Sequence, residues 1–95
     1  MKTEYKVSWA KNVDKTLRKV PSYIRNKFHL WVFLVESQGL EEVRKRPGFH
    51  DEPLVGQRRD QRSIRLSRAY RAIYELTERG TLRVVEVKGV TKHEY

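Results

Sequence analysis

Three strand-like runs follow one another closely between Arg62 and Val87. They read RSIRLS, YRAIYELT and TLRVVEV, and they are rich in β-branched and aromatic residues with stretches of polar–apolar alternation. The connections between them are only a few residues long. Because short connections join antiparallel neighbours, this part of the chain predicts a three-stranded antiparallel meander.

The residues before Gly39 follow other patterns. Residues 3–9 (TEYKVSW) alternate and predict a first strand. Residues 12–20 have apolar residues at helical spacing and end at Pro21, which suits the first turn of a second helix. That helix is predicted to end at Gly39, and its apolar residues recur at i, i+4, i+7 and i+11 as Ile24, Phe28, Trp31 and Val35.

Residues 40–61 contain two prolines and two glycines and predict a long irregular connection. The element order is then β-α-α-β-β-β in a single domain over residues 1–95. This order predicts an α+β fold in which the helical hairpin packs on one face of a small, mainly antiparallel sheet. The other face of the sheet is expected to be open, and the aromatic residues Trp9, Phe28, Trp31 and Phe33 are expected in the core.

The segment RSIRLSRAYRAIY places an arginine at every third position, at residues 62, 65, 68 and 71. This spacing fits neither a helix nor a single strand. A helix here would carry a broad basic face, but its isoleucines, tyrosines and serines are indifferent helix formers. A hairpin with a turn at residues 67–69 explains the spacing better, because it leaves Arg68 in the turn.

The hairpin register sets Arg65 opposite Arg71. One face then carries residues suited to a core (Ile64, Leu66, Tyr70, Ala72 and Tyr74), and the second face carries Ser63, Arg65, Arg71 and Ile73. Like charges in such a position destabilise a sheet, but two arginines bind a phosphate well. The alternative is that both arginines lean apart, toward water or toward carboxylates such as Glu75 and Glu86.

The charge balance favours a polyanionic partner. The formal net charge is +9, and residues 58–71 hold six arginines against one acid. No apolar run reaches the length of a membrane span and the N-terminal residues do not form a signal peptide. The chain has no cysteine, and its histidines (His29, His50 and His93) form no ligand motif, so we expect no metal, no other cofactor and a cytoplasmic location.

Three segments resemble a known family. EPLVG at residues 52–56, GQRRDQRSIRLSRAYRAIY at 56–74 and KHEY at 92–95 are similar to the RelE/HigB/YoeB superfamily of type II toxin–antitoxin ribonucleases. The YRAIY core is the most specific of these pieces. The element order matches as well, so the resemblance covers nearly the whole chain and implies a RelE-like fold.

The resemblance implies a metal-independent endoribonuclease that cleaves mRNA, often on the ribosome, and that is neutralised by an antitoxin protein. In such a reaction a ribose 2′-OH attacks the neighbouring phosphate, which requires a base, cationic groups and an acid. Two other functions stay open. The chain could be a ParE-like toxin that inhibits DNA gyrase, or a basic module that binds nucleic acid without cleaving it.

The resemblance also implies roles for individual residues. Arg71 corresponds to the phosphate-stabilising arginine, Arg65 shares that role, and Glu52 matches the general base of YoeB-like members. His93 and Tyr95 lie in the C-terminal group that supplies acid, base or stacking residues. Further RNA or phosphate contacts are expected from Arg58, Arg59, Arg62, Arg68, Lys92 and His50.

The chain departs from the family pattern in two places. Val55 occupies a position where the family commonly has lysine, so one expected cation is missing. The C-terminus reads His-Glu-Tyr, which shifts the histidine by one residue relative to members that end in His-Tyr. The sequence therefore leaves open which of His50, Glu52, His93, Glu94 and Tyr95 is the base and which is the acid.

Overall fold

A computed structural model describes residues 4–56 and 60–92 of the chain. Its first half consists, in order, of β1 (Glu4–Trp9), α1 (Lys11–Lys19), α2 (Ser22–Gln38) and α3 (Leu40–Arg44). After a 3-10 turn (Pro47–Phe49) come the strands β2 (Glu52–Pro53), β3 (Arg62–Arg65), β4 (Tyr70–Arg79) and β5 (Leu82–Lys92).

The five strands form one sheet in the order β1-β5-β4-β3-β2. Strands β2 to β5 pair antiparallel, whereas β1 runs parallel to β5 with Val7 opposite Val85. The helices contact β1 and β5. The predicted α+β architecture and the β3-β4-β5 meander are therefore confirmed.

The core lies between the helices and one face of the sheet. The apolar stripe of α2 is buried there as predicted, with Phe28, Trp31 and Val35 fully inaccessible to solvent. The rings of Trp31 and Tyr74 lie 5.3 Å apart, which joins the middle of α2 to the middle of β4. The main buried residues facing them come from α1, α3 and the sheet: Val13, Leu17, Leu40, Val43, Ile64, Leu66, Ala72, Val85 and Val87.

The predicted β3–β4 hairpin is present in the predicted register. Arg65 pairs with Arg71 and Ile64 pairs with Ala72. The backbone N–H of Leu66 donates to the carbonyl of Tyr70, which closes the turn. Ile64, Leu66, Ala72 and Tyr74 are buried on the helix side, as expected for the core face.

Residues 40–56 contain more regular structure than the sequence predicted. The chain forms helix α3 directly after Gly39, whose φ of +92° disfavours a side chain at this position. The turn of helix allows Leu40 and Val43 to be buried to 1% exposure each, which an irregular loop would not achieve as easily. The short strand β2 was also missed, because two residues carry no periodicity.

Three smaller expectations were wrong. Pro21 is the N-cap residue of α2 and does not belong to its first turn. Phe33 is 65% exposed, because it lies on the side of α2 that faces away from the sheet. The second sheet face is not fully open, since Ser63 and Ile73 are buried on it.

None of the helices formed by residues 4–56 and 60–92 is long and apolar enough to cross a membrane.

Candidate functional site

The hairpin brings Arg65 and Arg71 side by side on the sheet face that points away from the helices. Their cross-strand pairing follows from the turn, where the hydroxyl of Ser67 accepts hydrogen bonds of 3.1 Å from the backbone N–H groups of Ala69 and Tyr70. A serine hydroxyl that accepts from the residues two and three positions ahead stabilises a tight turn. The turn therefore fixes the separation of the two guanidinium groups.

Strand β2 adds a carboxylate to this pair. Glu52 pairs with Ser63 across β2 and β3, and Arg71 Nη1 donates to Glu52 Oε1 at 2.5 Å and to Ser63 Oγ at 3.1 Å. The Arg71 side chain is 18% exposed and that of Glu52 is 43% exposed. Solvent and a ligand can therefore reach the carboxylate, while the arginine is largely enclosed.

The neighbouring cations stabilise the charged form of Glu52. The hydrogen bond from Arg71 lowers the pKa of the Glu52 carboxyl, partial burial opposes this effect, and the charges of Arg71, His50 and Arg65 lower it further. A carboxylate held in this way is ionised at neutral pH. It is thus in the correct form to accept a proton, although Arg71 occupies one of its oxygens.

The carboxylates proposed as alternative partners for the arginines are occupied elsewhere. Lys88 Nζ lies 3.0 Å from Glu86 and 3.6 Å from Glu75, and Gln61 donates to Glu75 at 2.9 Å. Arg65 forms no hydrogen bond or ion pair with any residue in 4–56 or 60–92. None of these described residues therefore keeps Arg65 from an anion arriving from solvent.

Arg62 takes a different direction from Arg65 and Arg71. It shares the parity of Ile64 in β3, so it faces the helix side, where its Nε donates to Asp51 Oδ1 at 2.6 Å. The Asp51 side chain is 2% exposed, and Arg62 retains 28% exposure. Arg62 is thus in an ion pair with a buried carboxylate on the helix side, and the RNA contact expected of it stays a prediction.

Tyr74 completes this buried group. Its hydroxyl donates to the second oxygen of Asp51 and accepts from Arg44 Nε at 3.4 Å. Burial raises the pKa of Tyr74, and its hydrogen bond to the Asp51 carboxylate raises it further. Asp51 was not predicted from the sequence. Arg62 lies on the same face of β3 as Ile64, however, and this position indicates a partner on the helix side.

Lys27 of α2 is a further cation near the site. Its Nζ donates to the Gly48 carbonyl at 2.8 Å and lies 5.5 Å from the centre of the Phe49 ring. Partial burial lowers the pKa of Lys27, and the charge of Arg65 lowers it further. These contacts join α2 to the 3-10 turn that directly precedes His50.

The other residues predicted to contact RNA or phosphate do not form one group with Arg65 and Arg71. His50 has a left-handed backbone with φ of 49° and lies two residues before Glu52. Arg68 is exposed in the hairpin turn. Lys92 pairs with Tyr70. It therefore lies on the helix side of the sheet, whereas Arg71 lies on the other face. Four further predicted residues lie outside the described ranges: Arg58, Arg59, His93 and Tyr95.

Glu52, Arg65 and Arg71 provide two of the three functions that phosphate-ester cleavage requires. Two guanidinium groups are suited to a phosphate and to the extra negative charge of a pentavalent intermediate, and an ionised carboxylate is suited to proton abstraction. Within residues 4–56 and 60–92, no group of three or more histidine, aspartate or glutamate side chains is arranged to hold a metal ion.

No protein-family model matches the sequence, and no curated protein matches it. Solved structures do match. The YoeB/ParE toxin from Agrobacterium tumefaciens aligns with a TM-score of 0.72 at 16% identity, over 94% of this chain and 99% of that chain. An archaeal RelE–RelB complex from Pyrococcus horikoshii contains a chain that aligns with a TM-score of 0.70 at 23% identity, over 94% of both chains.

YafQ from Escherichia coli gives the same TM-score of 0.70 at 14% identity, over 95% of this chain and 94% of that one. At such low identity the likeness establishes the fold. The predicted RelE-like fold is therefore confirmed, over nearly the full length of the compared chains.

Proposed function

We propose that this chain, which has the fold of the RelE, YoeB and YafQ toxins, is the toxin of a type II toxin–antitoxin system and an endoribonuclease that cleaves mRNA. The observation that carries the proposal is the contact of Arg71 with Glu52 beside Arg65 on one sheet face. A module that only tracks a phosphate backbone has no need of a carboxylate among its arginines, because the carboxylate repels the phosphate.

The proposed reaction begins when a phosphate of the RNA reaches the arginine pair. Arg71 then exchanges its bond to Glu52 for a bond to the phosphate, which frees Glu52 Oε1. Loss of that hydrogen bond raises the pKa of Glu52 and makes it a stronger base. Substrate binding and activation of the base are thus coupled through one guanidinium group.

Chemistry follows in one displacement. Glu52 takes the proton of the ribose 2′-OH, the 2′ oxygen attacks phosphorus, and the bond from phosphorus to the 5′ oxygen breaks. Arg65 and Arg71 stabilise the charge of the pentavalent intermediate. An acid protonates the departing 5′ oxygen; His50, His93 and Tyr95 are the proposed donors. The products are a 2′,3′-cyclic phosphate and a 5′-hydroxyl, and the proposed step uses no metal ion.

The test is cleavage of a defined mRNA in a translation extract and, separately, with purified ribosomes, in the presence of a chelator. We expect Arg71→Ala to lower the cleavage rate by about 10² to 10³-fold, the usual cost of one transition-state donor. Arg79→Ala is the matched control, because Arg79 lies on the same strand but at its exposed far end. Undiminished cleavage by Arg71→Ala would overturn the proposal.

A gyrase inhibitor is the second candidate, because the Agrobacterium structure with this fold is described as a YoeB/ParE toxin. Inhibition of DNA supercoiling with the mRNA left intact would favour that function. RNA binding without any product would favour the basic binding module.

The proposed function implies two partners and a location. Ribosomal RNA is the expected docking surface for a chain of net charge +9, and the substrate places the protein in the cytoplasm. A toxin also requires a cognate antitoxin protein, which we expect to cover the basic face with an acidic or amphipathic segment. Co-purification with the product of a neighbouring small reading frame is the direct check.

A further inference from the structure

Asp51 is a buried carboxylate that the proposed reaction does not use. Only 2% of its side chain is exposed, and both of its oxygens are engaged, one by Arg62 Nε at 2.6 Å and the other by the Tyr74 hydroxyl. Arg44 of α3 donates to the same hydroxyl at 3.4 Å. One side chain before β2 is thus attached to β3, β4 and, through Tyr74, to α3.

Apart from one hydrogen bond just beyond its end, from the Leu54 N–H to the Gln61 carbonyl at 2.9 Å, strand β2 has few backbone contacts. It spans only Glu52 and Pro53, which pair with Ser63 and Arg62, and Pro53 has no backbone N–H to donate to a ladder. His50, which directly precedes Asp51, adopts a left-handed backbone. Such a conformation in a non-glycine residue persists when its surroundings fix it. The hydrogen bonds of the buried Asp51 side chain are the buried side-chain contacts nearest to Glu52.

The two neighbouring carboxylates point to opposite sides of the sheet. Asp51 bonds Arg62 and Tyr74 on the helix side, and Glu52 bonds Arg71 on the other side. Successive residues of an extended chain point in opposite directions. A fixed Asp51 therefore fixes the direction in which Glu52 projects.

We infer that Asp51 is a positioning residue, which holds the Glu52 carboxylate against Arg71 through its own bonds to Arg62 and Tyr74. This role rests on the proposed function for its catalytic meaning, but the contact itself exists in the free protein. Displacement of a reacting group by about 1 Å costs about 10²-fold in rate. The Asp51→Asn variant is expected to lose cleavage activity by that order, although Asp51 touches no RNA.

The decisive measurement is the titration of the Glu52 carboxyl by carbon NMR, without RNA, in the intact protein. Among residues 4–56 and 60–92, the groups whose charge lowers the pKa of Glu52 are Arg71, Arg65 and His50. Asp51→Asn leaves all three in place. We expect the pKa of Glu52 in this variant to rise toward the ordinary value for glutamate, because the carboxylate leaves Arg71.

A control and a second variant separate positioning from general loss of structure. Glu41→Gln removes a similar cluster, in which Tyr5 and Arg83 bond Glu41, and it should leave the titration of Glu52 unchanged. If Asp51→Asn does not fold, the Tyr74→Phe variant provides the test of the positioning role. It keeps the ring that packs on Trp31 but removes the hydroxyl that bonds Asp51. It should shift the same titration by a smaller amount.

The two proposals fail in different ways. If the wild-type protein cleaves RNA but the titration of Glu52 is the same in the folded Asp51 and Tyr74 variants, the positioning role is wrong. If the wild-type protein cleaves nothing, the proposed function is wrong. The titration then still establishes whether Asp51 places Glu52.

Discussion

Glu52 lies 2.5 Å from Arg71 and nevertheless keeps 43% of its side chain exposed. Exposed ion pairs contribute little to stability, because water screens them. This ion pair contributes little to folding stability, but its hydrogen bond is short. Such a contact is suited to exchange with a ligand. The same geometry explains why the pKa of Glu52 is lowered mainly by one hydrogen bond and only secondarily by the surrounding charges.

This lowered pKa makes a prediction about stability and pH. The folded protein holds the Glu52 carboxyl below its unfolded pKa, so its contribution is present at neutral pH and is lost as pH falls through the folded value. After discounting for solvent screening, we expect Glu52→Gln to cost about 0.5 kcal/mol at pH 7. The difference from wild type should fade on acidification to pH 3, as measured by urea unfolding.

Glu78→Gln is the control for this series, because Glu78 is exposed and its contact with Arg83 is long, at 3.5 Å. Its free energy of unfolding should differ little from wild type at either pH. A cost for Glu52→Gln that does not change with pH would contradict the ion-pair explanation.

The β3–β4 hairpin shows what the sequence determines at the level of elements. Its register was predictable, because only one turn position puts the apolar residues on one face and explains the spacing of the arginines. Helix α3 and strand β2 were not predictable, because elements of five and two residues are too short for a periodic pattern. Their existence depends on burial of Leu40 and Val43 and on pairing with β3.

The candidate site was predictable to a similar extent. Arg65, Arg71 and Glu52 were named from the sequence and lie together, whereas the role of Asp51 depends on a contact with Tyr74, 23 positions away in the chain. Arg62 was grouped with the other arginines by its spacing, although it lies on the same strand face as Ile64 and therefore on the helix side.

Ser67 permits a prediction about the hairpin itself. Its hydroxyl accepts two backbone hydrogen bonds in the turn, so Ser67→Ala should lower the free energy of unfolding by about 1 kcal/mol. Cleavage should fall as well, because the turn sets the spacing of Arg65 and Arg71. Denaturant unfolding and the RNA assay measure the two effects separately.

Ser37→Ala is the matched control, since the hydroxyl of Ser37 donates to the Phe33 carbonyl within α2 and away from the hairpin. Such bonds in a helix add little stability. Equal losses in both serine variants would show that the turn has no special role.

On the scale of the whole molecule, the net charge of +9 is distributed unequally. At the Arg71 end of the sheet, Arg65 and Lys27 lie close enough for the charge of one to lower the pKa of the other. At the other end of β5, Arg83 is neutralised by Glu41 and Glu78. A polyanion is therefore expected to bind at the Arg71 end.

The salt dependence of RNA binding tests this distribution. Each phosphate contact adds about 1 to the slope of log affinity against log salt concentration. We expect Arg65→Gln to reduce the slope by about 1, measured by fluorescence anisotropy with a non-cleavable RNA. Arg83→Gln, a substitution of the same kind at the other end of the sheet, should leave the slope unchanged; a similar decrease in both would indicate diffuse binding.

The parallel pairing of β1 with β5 has a consequence for the way the protein is made. Val7 pairs with Val85, so residues 78 positions apart must meet before the sheet is complete. Contacts between distant parts of a chain form slowly, because a long loop must close first. During synthesis β1 leaves the ribosome early and has no partner strand until β5 follows. We therefore expect the domain to reach its native state, and with it the proposed cleavage activity, only after translation of β5.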